Sequence, residues 1–75
     1  MPPLPRLTDR EVLRALSRAG WEITRQSGAH ARLRHPDRAE GVTVSVHPSA
    51  IVKPGTLHSI LRQAGLSVDE FRALL

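Results

Sequence analysis

The chain has 75 residues, of which 40% are hydrophobic and 24% are charged. This length accommodates one globular domain, and the composition excludes disordered, collagen-like and low-complexity chains. We therefore expect a single domain over residues 1–75, with residues 1–6 as a flexible tail in front of it.

The chain contains no cysteine, which excludes disulfides, thiolate nucleophiles and cysteine zinc sites. No apolar run approaches the roughly 18 residues that a transmembrane helix needs. The first five residues, Met1-Pro2-Pro3-Leu4-Pro5, contain too many prolines for the apolar core of a signal peptide. We therefore expect a cytoplasmic protein without a membrane partner.

The charge is strongly basic, with a formal net charge of +4 and a pI of about 11.4. Such a balance favours a polyanionic partner, either nucleic acid or an acidic protein. Lys53 is the only lysine, so nearly all of the positive charge is guanidinium, which suits phosphate binding and base stacking. A genome of high GC content would produce the same excess of arginine over lysine. The positions of the arginines in the fold must therefore show whether they serve a polyanionic partner.

The first predicted helix begins after Thr8, because Thr8-Asp9-Arg10-Glu11 has the pattern of a capping box. We expect Gly20 to end this helix as a left-handed cap. The apolar stripe between them consists of Val12, Leu13, Leu16 and Ala19. A second stripe, Arg10, Arg14 and Arg18, has acidic neighbours and is interpreted as a solvated face.

From Trp21 to His47 apolar residues alternate with polar ones, which predicts a three-stranded antiparallel meander. The alternating apolar residues are Trp21, Ile23, Ala31, Leu33, Val42, Val44 and Val46. We expect the first hairpin to turn through a three-residue loop, Gln26-Ser27-Gly28, and the second through residues 36–41. Because the strands alternate, helices cover only one face of the sheet.

A second helix is predicted to begin with Pro54 at its first position and to end at Gly65. Its apolar positions are Leu57, Ile60, Leu61 and Ala64. A second capping box, Ser67-Val68-Asp69-Glu70, opens a short last helix that docks through Val68, Phe71 and Leu74 or Leu75. The element order predicts an α+β fold, with a three-stranded antiparallel sheet covered on one face by helices and a short C-terminal helix.

The sheet face that the helices leave uncovered, which we call the open face, has a composition fixed by strand parity. Its predicted members are Glu22, Thr24, Gln26, His30, Arg32, Arg34, Thr43, Ser45 and His47. The register that fits both hairpins pairs Ile23 with Ala31, Leu33 with Val44, Thr24 with His30, Glu22 with Arg32, and His30 with His47. A two-residue slip would keep the faces and change the pairs.

Two arginines and two histidines on one polar face suit the binding of a phosphodiester. Histidine transfers protons near neutral pH, and a 2′-hydroxyl lies beside every scissile phosphate of RNA. His30 is therefore the candidate general acid or base, His47 an assisting residue, and Arg32 and Arg34 the phosphate ligands. An exposed strand histidine also occurs simply as a surface residue.

The other histidines and the tryptophan have structural interpretations. We expect His35 to pack in the turn, His58 to be solvated and Trp21 to lie in the core. A metal site is not expected, because four scattered histidines lack a recognised ligand spacing. The open face has no aromatic residue, which argues against single-strand binding by stacking alone.

Short motifs between Leu7 and Phe71 resemble the HicA toxins, or YcfA-like proteins, of type II toxin–antitoxin systems. The motifs are Gly20-Trp21, Arg25-Gln26-Ser27-Gly28-Ala29-His30, Arg34-His35-Pro36-Asp37, Val42-Thr43-Val44, Val46-His47-Pro48, Lys53-Pro54-Gly55-Thr56-Leu57 and Ile60-Leu61-Arg62-Gln63-Ala64-Gly65-Leu66-Ser67. The resemblance implies a double-stranded-RNA-binding-domain-like α-β-β-β-α fold. It also implies a ribonuclease that cleaves messenger RNA and is restrained by a HicB-type antitoxin.

The catalytic histidine of that family follows a glycine and usually a serine, and the matching position is His30, with Ala29 where the serine is common. The sequence thus predicts an endoribonuclease that acts as an mRNA interferase, without metal or small-molecule cofactor. Two alternatives remain open: an RNA-binding module of the same fold without catalysis, and a protein that only binds an acidic partner.

Overall fold

The computed structural model describes residues 6–46 and 51–75 of the chain. Its elements are α1 (Asp9–Arg18), β1 (Glu22–Ser27), β2 (His30–Arg34), β3 (Val42–Ser45), α2 (Pro54–Ala64) and α3 (Val68–Arg72). The strands form one antiparallel sheet in the order β1-β2-β3. The predicted α+β fold is confirmed. Most of the predicted N-terminal tail, and His47, lie outside the described residues.

Helix α1 begins and ends where the sequence predicts. The Thr8 hydroxyl accepts the Glu11 N–H at 3.3 Å, and the Glu11 carboxylate accepts the Thr8 N–H at 3.0 Å, which completes the capping box. At the other end Gly20 has a φ of 98°. There the Trp21 N–H donates to the Leu16 carbonyl at 3.0 Å, a Schellman arrangement that satisfies the last carbonyls and turns the chain into β1.

The two C-terminal helices also match their sequence signals. Helix α2 has Pro54 in its first turn and ends at Gly65, as predicted. In front of α3 the Ser67 hydroxyl accepts the Glu70 N–H at 3.0 Å, and the Glu70 carboxylate accepts the Ser67 N–H at 2.9 Å. Phe71 is fully buried. The short last helix is therefore held by both its cap and its packing.

The helices cover one face of the sheet, and the apolar residues between them form one core. The largest fully buried side chains are Phe71, Leu16, Leu33, Leu57, Val12, Val42 and Val44. Trp21 is buried as expected, whereas the prediction that Ile23 lies in the core is wrong, since its side chain is 49% exposed. Both long helices pack against β3, and Ile23 lies on β1 at the opposite edge, beyond their cover.

The predicted strand register is wrong by two residues. The observed pairs are Ile23 with Leu33, Ala31 with Val44, Leu33 with Val42, and His30 with Ser45. The first hairpin turns through two residues, Gly28 and Ala29, because Ser27 pairs with His30; the predicted three-residue loop does not form. A two-residue shift preserves the faces of β2 and β3, so the inside and outside sets stay as predicted.

One pairing was not predicted, and it connects the segment before α1 to the segment before α2. Thr8 and Ile51 form an isolated antiparallel bridge, and the Val52 N–H donates to the Leu7 carbonyl at 2.8 Å. Leu7 and Val52 are buried, and so is Asp9 in the first turn of α1. No helix within residues 6–46 and 51–75 has the length and hydropathy to cross a bilayer.

Both capping boxes should make stability depend on acidic pH. Hydrogen bonds from the Thr8 backbone and then its hydroxyl lower the pKa of Glu11 below its ordinary 4.5, and the same groups of Ser67 lower the pKa of Glu70. A carboxylate with a depressed folded-state pKa stabilises the fold above 4.5, and this stabilisation is lost as the pH falls through the folded value. In urea unfolding across this pH range, the double variant Glu11→Gln, Glu70→Gln should show a weaker loss, because glutamine keeps the cap without titrating. An unchanged pH profile would contradict this origin.

Gly20 should tolerate alanine worse than Gly28, although both have positive φ. A Cβ at Gly20 would lie 2.8 Å from the His35 Nε2, whereas a Cβ at Gly28 would meet nothing within 4 Å. We expect Gly20→Ala to lower the free energy of unfolding by about 2–3 kcal/mol and Gly28→Ala by about 1 kcal/mol. Urea unfolding measures both, and equal losses would show that the His35 contact adds nothing.

Candidate nucleic-acid interface

The open face is centred on β2, the middle strand of the sheet. His30, Arg32 and Arg34 are exposed, while Ala31 and Leu33 between them are buried. On β3 Thr43 is exposed and Ser45 is half-buried. The predicted alternation of β2 and β3 is thus confirmed. It brings one histidine and two arginines of the predicted site onto a single strand face.

His30 lies opposite one serine on each neighbouring strand. It pairs with Ser27 on β1 and with Ser45 on β3, so the predicted pairing of His30 with His47 is wrong. Within residues 6–46 and 51–75 no group hydrogen-bonds the His30 imidazole. The two hydroxyls are notable neighbours, because Ala29 provides none in the preceding turn. The ring is therefore accessible to a ligand from solvent.

A β-bulge changes which residues of β1 reach the open face. The register shifts between Ile23 and Arg25, so that Thr24 and Arg25 together oppose Arg32. The Thr24 hydroxyl donates to the Arg32 carbonyl at 3.3 Å, which gives that carbonyl a partner where the ladder is interrupted. From Arg25 onwards, the β1 residues that point to the open face have odd numbers instead of even ones, because Arg25 opposes exposed Arg32.

The predicted place of Gln26 on the open face is therefore wrong. Gln26 opposes Ala31, which is buried on the helix side of the sheet. Directly opposed residues point to the same face, so Arg25 and Ser27 take the places on the open face that a regular strand would give to Thr24 and Gln26. The face gains a third arginine.

The charges on the open face are arranged unevenly. Glu22 opposes Arg34 and not Arg32, as the two-residue shift requires. Arg32 instead opposes Arg25. Among the described strand residues, Glu22 is the only acidic residue on this face. The negative charge therefore lies at the Arg34 end, and the positive charge is concentrated at the Arg25 and Arg32 positions.

The Arg32 side chain is held by a hydrogen bond to β3. Its Nη1 donates to the Thr43 hydroxyl at 3.2 Å. Its Nε lies over Gly41, where an added Cβ would approach it to 3.2 Å. An arginine with one anchored N–H retains four other donors for a ligand. The guanidinium is thus oriented before any ligand binds.

His35 has the structural role that the sequence predicts. Its Nδ1 accepts the Asp37 N–H at 3.0 Å, and its Nε2 lies 2.9 Å from the Ala19 carbonyl oxygen. The ring centroid is 5.2 Å from that of Trp21. These bonds assign the neutral tautomer with the proton on Nε2, since a carbonyl needs a donor. His58 is exposed on α2, as expected.

No three histidine or acidic side chains of the described segments are grouped so that they could hold a metal ion. Sequence reasoning missed Arg25, although a signal for it exists. A two-residue turn at Gly28 and Ala29 places Ser27 and Arg25 on the same face as His30. In a regular strand Ile23 would lie on that polar face too, although an apolar residue is expected on the inner face. Ile23 can lie on the inner face and Arg25 on the open face only if β1 has one extra residue between them, which is the observed bulge.

The comparison with known protein families identifies a match over most of the chain. The family model described as the HicA toxin of bacterial toxin–antitoxin matches residues 10–66. No match is found among curated proteins. The matched span contains nearly all of α1, the whole sheet and α2, and therefore every residue that the structure places on the open face.

The two histidines at the ends of β2 should differ sharply in their effect on stability. His30→Ala should change the free energy of unfolding by less than about 0.5 kcal/mol, because its exposed ring makes no contact that the fold needs. His35→Ala should lower it by about 1–3 kcal/mol, since it leaves two backbone groups without their partner and exposes Trp21. Urea unfolding with an unchanged m value is the measurement. A larger loss for His30→Ala would show that His30 is a structural residue.

Proposed function

The chain belongs to the HicA family of toxins of bacterial toxin–antitoxin systems, and from this premise we propose that it is an mRNA interferase. In this proposal it is an endoribonuclease that acts in the cytoplasm on messenger RNA without a metal ion. The observation that supports it is the arrangement of β2, which presents His30, Arg32 and Arg34 on one exposed face. Proton transfer and phosphate binding would then occur on the same rigid strand.

The proposed reaction is an internal transesterification. The neutral imidazole of His30 removes the proton of a 2′-hydroxyl, and the oxygen attacks the adjacent phosphorus. The bond between phosphorus and the 5′-oxygen breaks, and that oxygen takes a proton from the imidazolium or from water. The products are a 2′,3′-cyclic phosphate and a 5′-hydroxyl end. His30 thus serves first as general base and then as general acid.

Arg32 and Arg34 are proposed as the phosphate ligands of this reaction. Negative charge increases on the non-bridging oxygens as the 2′-oxygen attacks, and guanidinium groups match such oxygens with paired N–H donors. Arg32 is the better oriented of the two, because Thr43 already holds its Nη1. His47, two residues after Ser45 in the sequence, is kept as a proposed assisting residue.

Membership of the family implies an antitoxin partner. We propose that this partner is of the HicB type and that it covers the open face. The proposed site occupies one face of a five-residue strand and its neighbours, which an interface of ordinary size, about 800 Å² on each partner, would occlude. The basic charge of this face would favour an acidic surface on the antitoxin.

One observation favours the alternative of an RNA-binding module without catalysis. The His30 imidazole has no orienting carboxylate or carbonyl among the residues that the structure describes. Catalytic histidines are commonly oriented by such a group. The same face and the same arginines would then bind RNA, and His30 would be one polar contact among several.

An RNA cleavage assay distinguishes the proposed endoribonuclease from the RNA-binding module without catalysis. Purified wild-type, His30→Ala and His58→Ala proteins are incubated with single-stranded RNA in excess chelator, and new ends are mapped. We expect wild type and His58→Ala to cleave and His30→Ala to lose at least about a hundredfold in rate, the usual contribution of a general acid or base. His58 is the matched control, because it is an exposed histidine on α2.

The role of the 2′-hydroxyl as the nucleophile is tested by changing the RNA substrate. RNA with a single 2′-deoxynucleotide on the 5′ side of the mapped bond should resist cleavage at that bond, because the nucleophile is missing. Cleavage by folded His30→Ala at the wild-type rate would refute the assignment of His30. Binding of RNA without cleavage by any variant would favour the binding module.

A further inference from the structure

We propose that Arg25 and Arg32 form a pair that binds one phosphate of the RNA between their two guanidinium groups, with Thr43 as the positioning residue of Arg32. This inference rests on the proposed RNA substrate, and it adds Arg25 and Thr43 to the residues that contact or prepare the site. Because Ile23 opposes buried Leu33, Arg25 and Ile23 can lie on opposite faces of the sheet only through the bulge at Thr24.

The first argument is the opposition of like charges. Arg25 and Arg32 are direct cross-strand partners, and the Cβ atoms of such partners lie about 5 Å apart. Like charges in this position destabilise a sheet. The single acidic residue of the described open face, Glu22, opposes Arg34 instead. An anion bound between the two arginines would remove this repulsion.

The second argument is the bulge itself. With Ile23 opposite buried Leu33, a β1 without a bulge would place Gln26 on the open face and would turn Arg25 to the other side of the sheet. The bulge exchanges them, and the Thr24 hydroxyl supports it through its bond to the Arg32 carbonyl. Bulges commonly redirect side chains towards functional sites. Here the residue that is redirected is a cation, and it is placed opposite another cation.

The third argument is preorganisation. The hydrogen bond from Arg32 Nη1 to the Thr43 hydroxyl at 3.2 Å restrains one guanidinium. A restrained side chain loses less conformational entropy when it binds a ligand. Arg25 is exposed and supplies the mobile half of the pair. Strand geometry places Arg32 about 7 Å along β2 from His30, within reach of the same RNA strand.

The test measures RNA binding without cleavage. Every variant carries His30→Ala, so that a labelled single-stranded RNA stays intact, and its dissociation constant is measured by fluorescence anisotropy over a series of salt concentrations. The added substitutions are Arg25→Gln, Arg32→Gln, both together, Thr43→Val, and Arg10→Gln as the control. Arg10 is an exposed arginine on α1 and has acidic neighbours.

We expect Arg25→Gln and Arg32→Gln each to weaken binding about tenfold, and Arg10→Gln to leave it unchanged. Because one phosphate is shared, the double variant should lose clearly less than the product of the single losses. Its salt dependence, the slope of log K against log salt, should fall by about 0.7, the value for one phosphate, and not by about 1.4. Thr43→Val should weaken binding about threefold and leave the slope unchanged, since the charge remains.

A second readout excludes a merely structural role for Arg25. Removing one of two opposed charges should leave the urea midpoint of the free protein unchanged or raise it at low salt. A lowered midpoint for Arg25→Gln would assign Arg25 to the fold. Arg25→Gln binding like Arg10→Gln, multiplicative losses in the double variant, or no RNA binding at all would each overturn the pair.

These outcomes are separate from those of the cleavage assay. If the wild-type protein fails to cleave but Arg25→Gln still weakens binding with the expected slope, the proposed catalysis fails and the pair stands. If the wild type cleaves and Arg25→Gln binds as the control does, the pair fails and the proposed catalysis stands.

Discussion

The central position of β2 is the constraint on which the rest of the molecule depends. Its backbone pairs on both sides, with β1 and with β3, so its direction and twist are fixed. Its inward residues, Ala31 and Leu33, are essentially inaccessible, and burial of an aliphatic side chain such as Leu33 contributes about 1.5–3 kcal/mol. The outward residues are held by the same backbone. The burial of Leu33 thus also determines where Arg32 and Arg34 are displayed.

The two ends of β2 use the same type of side chain in different ways. His35 satisfies two backbone groups and packs on Trp21, so it connects the end of α1 to the loop after β2. His30 is exposed, and its ring nitrogens have no hydrogen-bond partner among the residues that the structure describes. His35 directly follows the last residue of β2, five positions after His30, so the residue that supports the fold and the residue that is open to a ligand are distinct.

The sequence predicts most of the fold because its signals are local. The capping boxes at Thr8 and Ser67, and the helix ends at Gly20 and Gly65, each satisfy hydrogen bonds within a few residues. The inside and outside faces of β2 follow from alternation. Strand register is not local: it depends on whether the first turn has two residues or three, and an error there moves every pair while leaving the faces intact. For this reason His30 and Arg32 could be placed on the correct face from the sequence, but their partners could not.

The bulge in β1 has a consequence beyond the placement of Arg25. An edge strand carries unpaired backbone groups and is a template for the addition of another chain, which is a route to aggregation. β1 is such an edge, and all six of its residues are exposed, with the apolar Ile23 among them. The bulge interrupts the regular spacing of donors and acceptors directly after Ile23, and Arg25 adds charge where a second copy would approach. Self-association through this edge is thereby disfavoured, which matters most for a toxin released from its antitoxin.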